Sequence, residues 1–182
     1  MGRKTQSVRQ TIKPIKNQQM NTQINTDFEK FTFQAKREFE APVSLVWRAY
    51  TEKELLDQWW APRPWKTETK SMDFRPEGKW VYDMVGPDGD RHGAIQIFKE
   101  IVFEKYFSGI DAFTDEQGNI NESMPVATWK NTFLPTDNGT LVIVDAIYPN
   151  KEALEFVIKM GMDKGVSMAH DNLSELLNKI KI

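Results

Sequence analysis

Hydrophobic and polar residues alternate along much of the chain after residue 27. Phe31, Phe33 and Ala35 fall on one side of the first such segment, with charged residues between them, and this pattern predicts a strand. The same period of two returns in six later segments, from TETKSMDF to TLVIVDAIY. Turn sequences such as GPDGD and TDNG separate several of them, so we expect about seven antiparallel strands.

Helical spacing replaces the alternation in two regions. The segment PVSLVWRAYT has its apolar residues at helical spacing, and Thr51-Glu52-Lys53-Glu54 predicts a capping box for a second short helix. Residues 151–182 repeat apolar positions at helical spacing without a break, which predicts one long C-terminal helix. Gly161 and Gly165 leave this helix without side chains at two positions, which either allows its backbone to pack closely against a neighbouring backbone or leaves room for a guest molecule.

Composition divides the chain at residue 26. Residues 1–26 carry five Lys/Arg, no acid and eight Gln/Asn, so we predict a flexible basic tail before a single domain at 27–182. The dispersed charges lack interleaved aromatics and do not indicate a nucleic-acid partner. Apolar runs are too short for a membrane span or a secretory signal. With no cysteine and two histidines, we expect no metal site, no cofactor and a cytoplasmic location.

The segment WWAPRPW holds three of the six tryptophans of the chain. Its prolines end the second helix, and rigid indoles beside them suit the wall of a cavity, with Trp60 the candidate. Trp80 and Tyr82 share one face of the strand KWVYDMV, and a buried Tyr82 hydroxyl would need a partner. An ordinary sheet core explains these aromatic residues as well as a ligand site does.

Three titratable residues interrupt apolar surroundings. His170 follows the inner helix position Ala169, and Asp111 and Asp145 each interrupt an apolar strand. Asp145 shares a face with Leu141 and Ile143 by period two, so it is the preferred candidate for a carboxyl group inside the cavity. The sequence shows no Ser-His-Asp order and no glycine-rich phosphate loop, so direct evidence for catalysis is absent.

The segment REFEAPVSLVWRAYTEKELLDQWWAP resembles the opening of the family of homologues of the activator of the heat-shock-protein-90 ATPase, within the START-like (SRPBCC, birch-pollen-allergen-like) superfamily. The segments DFRPEGKW, PDGDRHG, FKEIV and GMDKGVSMAHDNLSELL continue the likeness, which covers about residues 29–180. Two positions depart from the family pattern. Glu77 replaces the first of two glycines, and Val166 replaces an aromatic residue, which enlarges the expected cavity.

The resemblance implies an α+β helix-grip fold. In it, a curved antiparallel sheet surrounds the long C-terminal helix, two short helices follow the first strand, and a cavity lies between sheet and helix. We expect the cavity to be lined by Trp60, Trp80, Tyr82, Asp145, Met162, Val166 and His170. The expected function is binding of a hydrophobic or amphipathic small molecule. The alternatives are a cyclase- or dehydratase-like enzyme and, ranked last, a co-chaperone that stimulates a chaperone ATPase. Relatives also suggest a homodimer.

Overall fold

A computed structural model describes residues 21–181, which form one antiparallel sheet and four helices. The strands are β1 (Gln23–Asp27), β2 (Thr32–Phe39), β3 (Lys66–Met72), β4 (Lys79–Val85), β5 (Arg91–Val102), β6 (Tyr106–Phe113), β7 (Ala127–Thr136) and β8 (Gly139–Ile147). The helices are α1 (Val43–Thr51), α2 (Lys53–Trp59), α3 (Lys151–Lys159) and α4 (Met162–Ile180). The strand order is β1-β2-β8-β7-β6-β5-β4-β3.

The sheet is open and curved, and α1, α2 and α4 pack on its concave side. Register irregularities interrupt β3 between Thr69 and Ser71 and the β5–β6 pairing between Phe98 and Ile101. Such bulges bend strands and increase their twist, which helps the sheet to curve. The predicted α+β helix-grip architecture is therefore confirmed.

Strand β1 is the eighth strand, where the sequence predicted seven. Its sequence QINTD is mostly polar, and its contribution to the sheet is backbone pairing with β2, from Gln23↔Lys36 to Asp27↔Thr32. An edge strand held by backbone hydrogen bonds needs little apolar burial, so alternation could not reveal it. The strand occupies the end of the segment predicted as a tail, and residues 1–20 of that segment lie outside the described residues.

The predicted long C-terminal helix is present as α4, but its predicted extent over residues 151–182 is wrong, because the helix is divided at Gly161. This residue has φ 92°, in the left-handed region, and separates α3 from α4. Glycine ends helices in this conformation because it has no Cβ to clash. The apolar spacing continues through the break, since both helices bury apolar residues such as Leu154 and Leu173 in the same core, and periodicity alone therefore missed it.

The predicted capping box at Thr51 is also wrong. Thr51 is the last residue of α1, and its hydroxyl donates to the carbonyl of Trp47 at 2.9 Å. Helix α2 begins two residues later, at Lys53, after Glu52 in an extended conformation, and no side chain caps it. The two short helices exist as predicted, but the boundary between them is made by the backbone of Glu52.

Aromatic side chains fill one end of the space between sheet and helices. Trp47 of α1 lies 5.2 Å from Phe133, 5.5 Å from Phe107 and 6.0 Å from Phe74, measured between ring centroids. These edge-to-face contacts give a densely packed core at this end. The other end, beneath the α3–α4 break, is hollow and forms the site described next.

Candidate ligand-binding site

A cavity of about 510 Å³ lies between the concave face of the sheet and the helices α2, α3 and α4. Strands β4 to β8 supply its floor, and the residues around the α3–α4 break supply part of its wall. Most lining side chains are apolar or aromatic. Ligand pockets have this character, with a small number of polar groups that orient the guest.

The three tryptophans of WWAPRPW, Trp59, Trp60 and Trp65, all line the cavity, and the two adjacent ones make different hydrogen bonds. Trp59 is 2% exposed and donates from Nε1 to the carbonyl of Ala49 at 2.9 Å, so it anchors α2 to α1. Trp60 lines the cavity and donates from Nε1 to the Tyr82 hydroxyl at 3.0 Å. Asn172 of α4 donates to the carbonyl of Ala61 at 3.0 Å, which fixes the chain where it leaves α2.

Five of the seven residues predicted for the site line the cavity, namely Trp60, Tyr82, Met162, Val166 and His170. Trp80 lies behind the wall. Its ring stacks on Tyr82 with a centroid distance of 4.0 Å, and its Nε1 donates to Thr69 Oγ1 at 2.9 Å. Trp80 therefore supports the cavity-lining ring of Tyr82 without lining the cavity itself.

Asp145 lies on the opposite face of the sheet from the cavity. Its neighbours Val144 and Ala146 line the cavity, and its Oδ1 accepts a hydrogen bond from Gln34 Nε2 at 2.7 Å. Leu141 and Ile143 share this outer face, so the apolar alternation that favoured Asp145 belongs to the partly covered outside of the sheet. The choice of Asp145 over Asp111 was wrong.

Asp111 of β6 is the carboxylate that the structure places in the cavity wall. Its Oδ1 is buried and has no hydrogen-bond partner among residues 21–181. Burial raises the pKa of Asp111 to about 6, and a hydrogen bond from its cross-strand neighbour Gln96 opposes part of that rise. This carboxyl group can therefore change its charge near neutral pH.

His170 is 2% exposed, and protein groups occupy both of its ring nitrogens. Nδ1 lies 3.0 Å from Thr22 Oγ1, and Nε2 lies 3.2 Å from the Tyr50 hydroxyl. Burial, and secondarily the positive charge of Arg37, lowers the pKa of His170 to about 3. The ring is therefore neutral at physiological pH and contributes a surface to the cavity, with neither nitrogen free for a guest.

Trp129 of β7 is a wall residue that sequence reasoning missed. It is 6% exposed, and its Nε1 has no hydrogen-bond partner in the described part of the chain. The alternation in ATWKN, with Ala127, Trp129 and Asn131 on one face, was the available signal. It shows which residues share a face, but the sequence does not show that the indole N–H stays unpaired.

Four methionines line the cavity: Met84, Met124, Met160 and Met162. Methionine side chains are flexible and polarisable, so they adapt their shape to a guest. The hydroxyl of Tyr148 donates to the sulfur of Met162 at 3.0 Å, which also satisfies a buried polar group at the wall. The cavity is therefore rigid on its aromatic side and adaptable near the α3–α4 break.

Among residues 21–181, the His, Asp and Glu side chains form no group of three that could hold a metal ion. Within the same residues, none of the helices has the length and apolar character needed to cross a membrane.

The family model for activator of Hsp90 ATPase homolog 1-like proteins matches residues 40–178. The chain belongs to this family. The match spans the two short helices, most of the sheet and α4, so it includes the elements that form the cavity.

Solved structures of other proteins are similar to this chain in fold. A crystal structure of a Mycobacterium smegmatis protein has a TM-score of 0.80 at 32% identity and covers 86% of this chain and 96% of its own. A solution structure from Arthrobacter aurescens has a TM-score of 0.82 at 26% identity, covering 86% and 91%. The AHSA1 protein of Silicibacter pomeroyi, at 16% identity, has a TM-score of 0.67, covering 82% and 99%. No curated protein matches the chain.

Proposed function

We propose that this protein binds a hydrophobic or amphipathic small molecule in the cavity between the sheet and the helices. The volume of about 510 Å³ is the observation that supports the proposal. Protein interiors pack as densely as organic crystals and hold few voids larger than a water molecule. Ligand pockets of small molecules typically measure ~300–1,000 Å³. A hollow of this size is therefore better explained by a guest than by imperfect packing.

The arrangement of side chains favours binding over catalysis. A cyclase- or dehydratase-like reaction requires groups that transfer protons. His170 has both nitrogens engaged, and burial raises the pKa of Tyr82 well above its usual value of 10. The remaining acid–base side chains of the wall include Asp111, whose pKa burial raises to about 6, and His92, and within residues 21–181 no hydrogen bond joins these two into a catalytic pair. Stimulation of a chaperone ATPase would use the protein surface, and the cavity supplies no argument for it.

A fluorescent apolar probe tests the proposal. N-phenyl-1-naphthylamine is neutral and becomes fluorescent in apolar surroundings, so its titration reports an accessible apolar cavity. We compare the wild type with Val166→Trp, which adds an indole to the cavity wall at a position where the family pattern has an aromatic residue. Met168→Trp is the matched control, since Met168 lies on the same helix and is 42% exposed.

The wild type and Met168→Trp should bind the probe with equal affinity. Val166→Trp should bind it about tenfold more weakly, because losing ~50 Å² of apolar contact at ~25 cal/mol per Å² costs about 1.3 kcal/mol. Failure of the wild type to bind, or equal weakening by both substitutions, would contradict a ligand cavity at this place. The predicted cytoplasmic location and homodimer belong to the proposal and are independent of this test.

A further inference from the structure

Two polar atoms of the cavity wall lack a hydrogen-bond partner within residues 21–181. They are Oδ1 of Asp111, which can only accept when the carboxyl group is ionised, and Nε1 of Trp129, which can only donate. Buried polar atoms without a hydrogen-bond partner are rare in folded proteins, and they often mark a functional site. Here both atoms belong to residues that line the same cavity, so a guest is the natural partner for both.

The pairing of β6 with β7 brings these two side chains close together. Asp111 lies opposite Ala127, and Gly109 lies opposite Trp129, so Asp111 and Trp129 are diagonal neighbours on the cavity face. Diagonal neighbours are within reach of aromatic side chains. A Cβ added at Gly109 would lie 3.2 Å from Trp129 Cζ2, which shows that the indole extends across Gly109 towards β6. Cζ2 belongs to the same edge of the ring as Nε1, so the N–H edge of the indole lies over Gly109, two residues from Asp111 on the same strand, while the ring also contacts Phe107 at a centroid distance of 5.3 Å.

The charges around the cavity limit what the guest can carry. No lysine or arginine is among the cavity-lining residues in the described range. The other titratable side chains of the wall are Tyr50, Tyr82, His92, Tyr148 and His170. The hydroxyl of Tyr82 accepts from Trp60, that of Tyr148 donates to Met162, and His170 is engaged by Thr22 and Tyr50. Apart from His92, which is exposed, the wall within residues 21–181 would offer a ligand carboxylate or phosphate no cation to balance the carboxylate of Asp111.

We propose, on the basis of the ligand-binding function above, that the guest is an apolar alcohol whose hydroxyl donates to Asp111 Oδ1 and accepts from Trp129 Nε1. A hydroxyl group both donates and accepts, so it satisfies the two atoms at once. An ether or ketone only accepts, and an ammonium group only donates. Burial raises the pKa of Asp111 to about 6, so at about pH 7.5 the carboxyl group is mostly ionised and forms a strong, charge-assisted bond with the hydroxyl.

Displacement of N-phenyl-1-naphthylamine by two isomers tests the inference. Decan-1-ol and 1-methoxynonane have the same atoms and nearly the same apolar area, but only the alcohol can donate to Asp111. At about pH 7.5 the alcohol should displace the probe with a dissociation constant about tenfold lower than that of the ether, in keeping with a hydrogen bond to a charged group. Decanoate, which has the same chain length, should compete more weakly than either because of its charge.

Substitutions assign the discrimination to the two wall residues. Asp111→Leu removes the acceptor while keeping a side chain of similar size. The dissociation constant of the ether divided by that of the alcohol should therefore fall to about one, while the probe still binds. Asp145→Leu, outside the cavity, should keep the wild-type ratio. Trp129→Phe removes the donor that both isomers use, so both should weaken by the same factor relative to the probe. If Asp111→Leu does not fold, Asp111→Ala serves the same comparison.

The outcomes separate this inference from the proposed function. Equal affinities of the two isomers for the wild type would overturn the alcohol inference, and so would a ratio that survives Asp111→Leu. In either case, binding of the probe would leave the general ligand-binding function intact. Failure of the wild type to bind the probe would overturn both.

Discussion

The cavity carboxylate makes the stability of the empty protein depend on pH in a defined direction. Burial raises the pKa of Asp111 from 3.8 to about 6, so the folded protein holds the proton at pH values where the unfolded chain has released it. Stability from this group is fully present below about pH 4 and is lost as pH rises through about 6. Above that range the folded protein carries a buried, incompletely paired negative charge.

The loss of stability can be assigned a magnitude. A pKa difference of this size corresponds to about 3 kcal/mol at most, since one pKa unit is worth about 1.4 kcal/mol. Asp111→Asn retains the shape of the protonated acid and cannot ionise. The variant should therefore match the wild type at about pH 4 and exceed it by up to about 3 kcal/mol at about pH 7.5.

Urea unfolding followed by tryptophan fluorescence measures this difference directly. The free energy of unfolding is determined for both proteins at several pH values between about 4 and 8, without any ligand. Asp145→Asn is the matched control, because it removes a carboxylate of the same type from the other face of the sheet, where Gln34 donates to it. The increase in the free energy of unfolding over the wild type should grow with pH for Asp111→Asn and be absent for Asp145→Asn. A difference between Asp111→Asn and wild type that stays constant with pH would refute the reasoning.

Three further predictions concern the glycines, the turn before β4 and the tryptophans. Gly161→Ala should lower the free energy of unfolding by about 1–2 kcal/mol because φ at this position is 92°, whereas Gly165→Ala, inside α4, should raise it by up to about 1 kcal/mol. Urea unfolding measures both changes, and equal effects of the two substitutions would contradict the helix break. Glu77 has φ 64°, in the left-handed region that favours glycine, so the Glu77→Gly variant should be about 1 kcal/mol more stable than the Glu77→Ala variant. Thermal unfolding compares the two variants, and the reverse order of stability would show that the backbone at residue 77 is not strained. In probe titrations, Trp60→Ala should lower affinity while folded Trp47→Ala should not, and equal losses would contradict a wall role for Trp60.

Much of the fold could be predicted because alternation and helical spacing report burial directly. The seven predicted strands, the two short helices and the family were accessible from residues that face a core. Strand β1 and the division at Gly161 were not, since one depends on backbone pairing of polar residues and the other on a backbone angle. Neither property changes the spacing of apolar residues along the chain.

The sequence could show which residues share one face of a strand or helix. It could not show which hydrogen-bond partners a residue has. Trp60, Tyr82 and Val166 were found because their faces point inward in the family's architecture. Asp111 was passed over for Asp145 because both interrupt apolar strands, and this sheet is partly apolar on its outer face as well. The choice between them depends on which face of each strand is concave, which only the three-dimensional pairing of the strands shows.

Nuclear magnetic resonance of the methionine methyl groups tests the ligand cavity most directly. Met84, Met124, Met160 and Met162 line the cavity, whereas Met72 and Met168 lie outside it. With ¹³C-labelled methyl groups and saturating N-phenyl-1-naphthylamine, the aromatic rings of the probe should shift the four lining resonances and leave the other two unchanged. Unshifted lining resonances, or equal shifts of Met72 and Met168, would show that the probe does not occupy the space between the sheet and the helices.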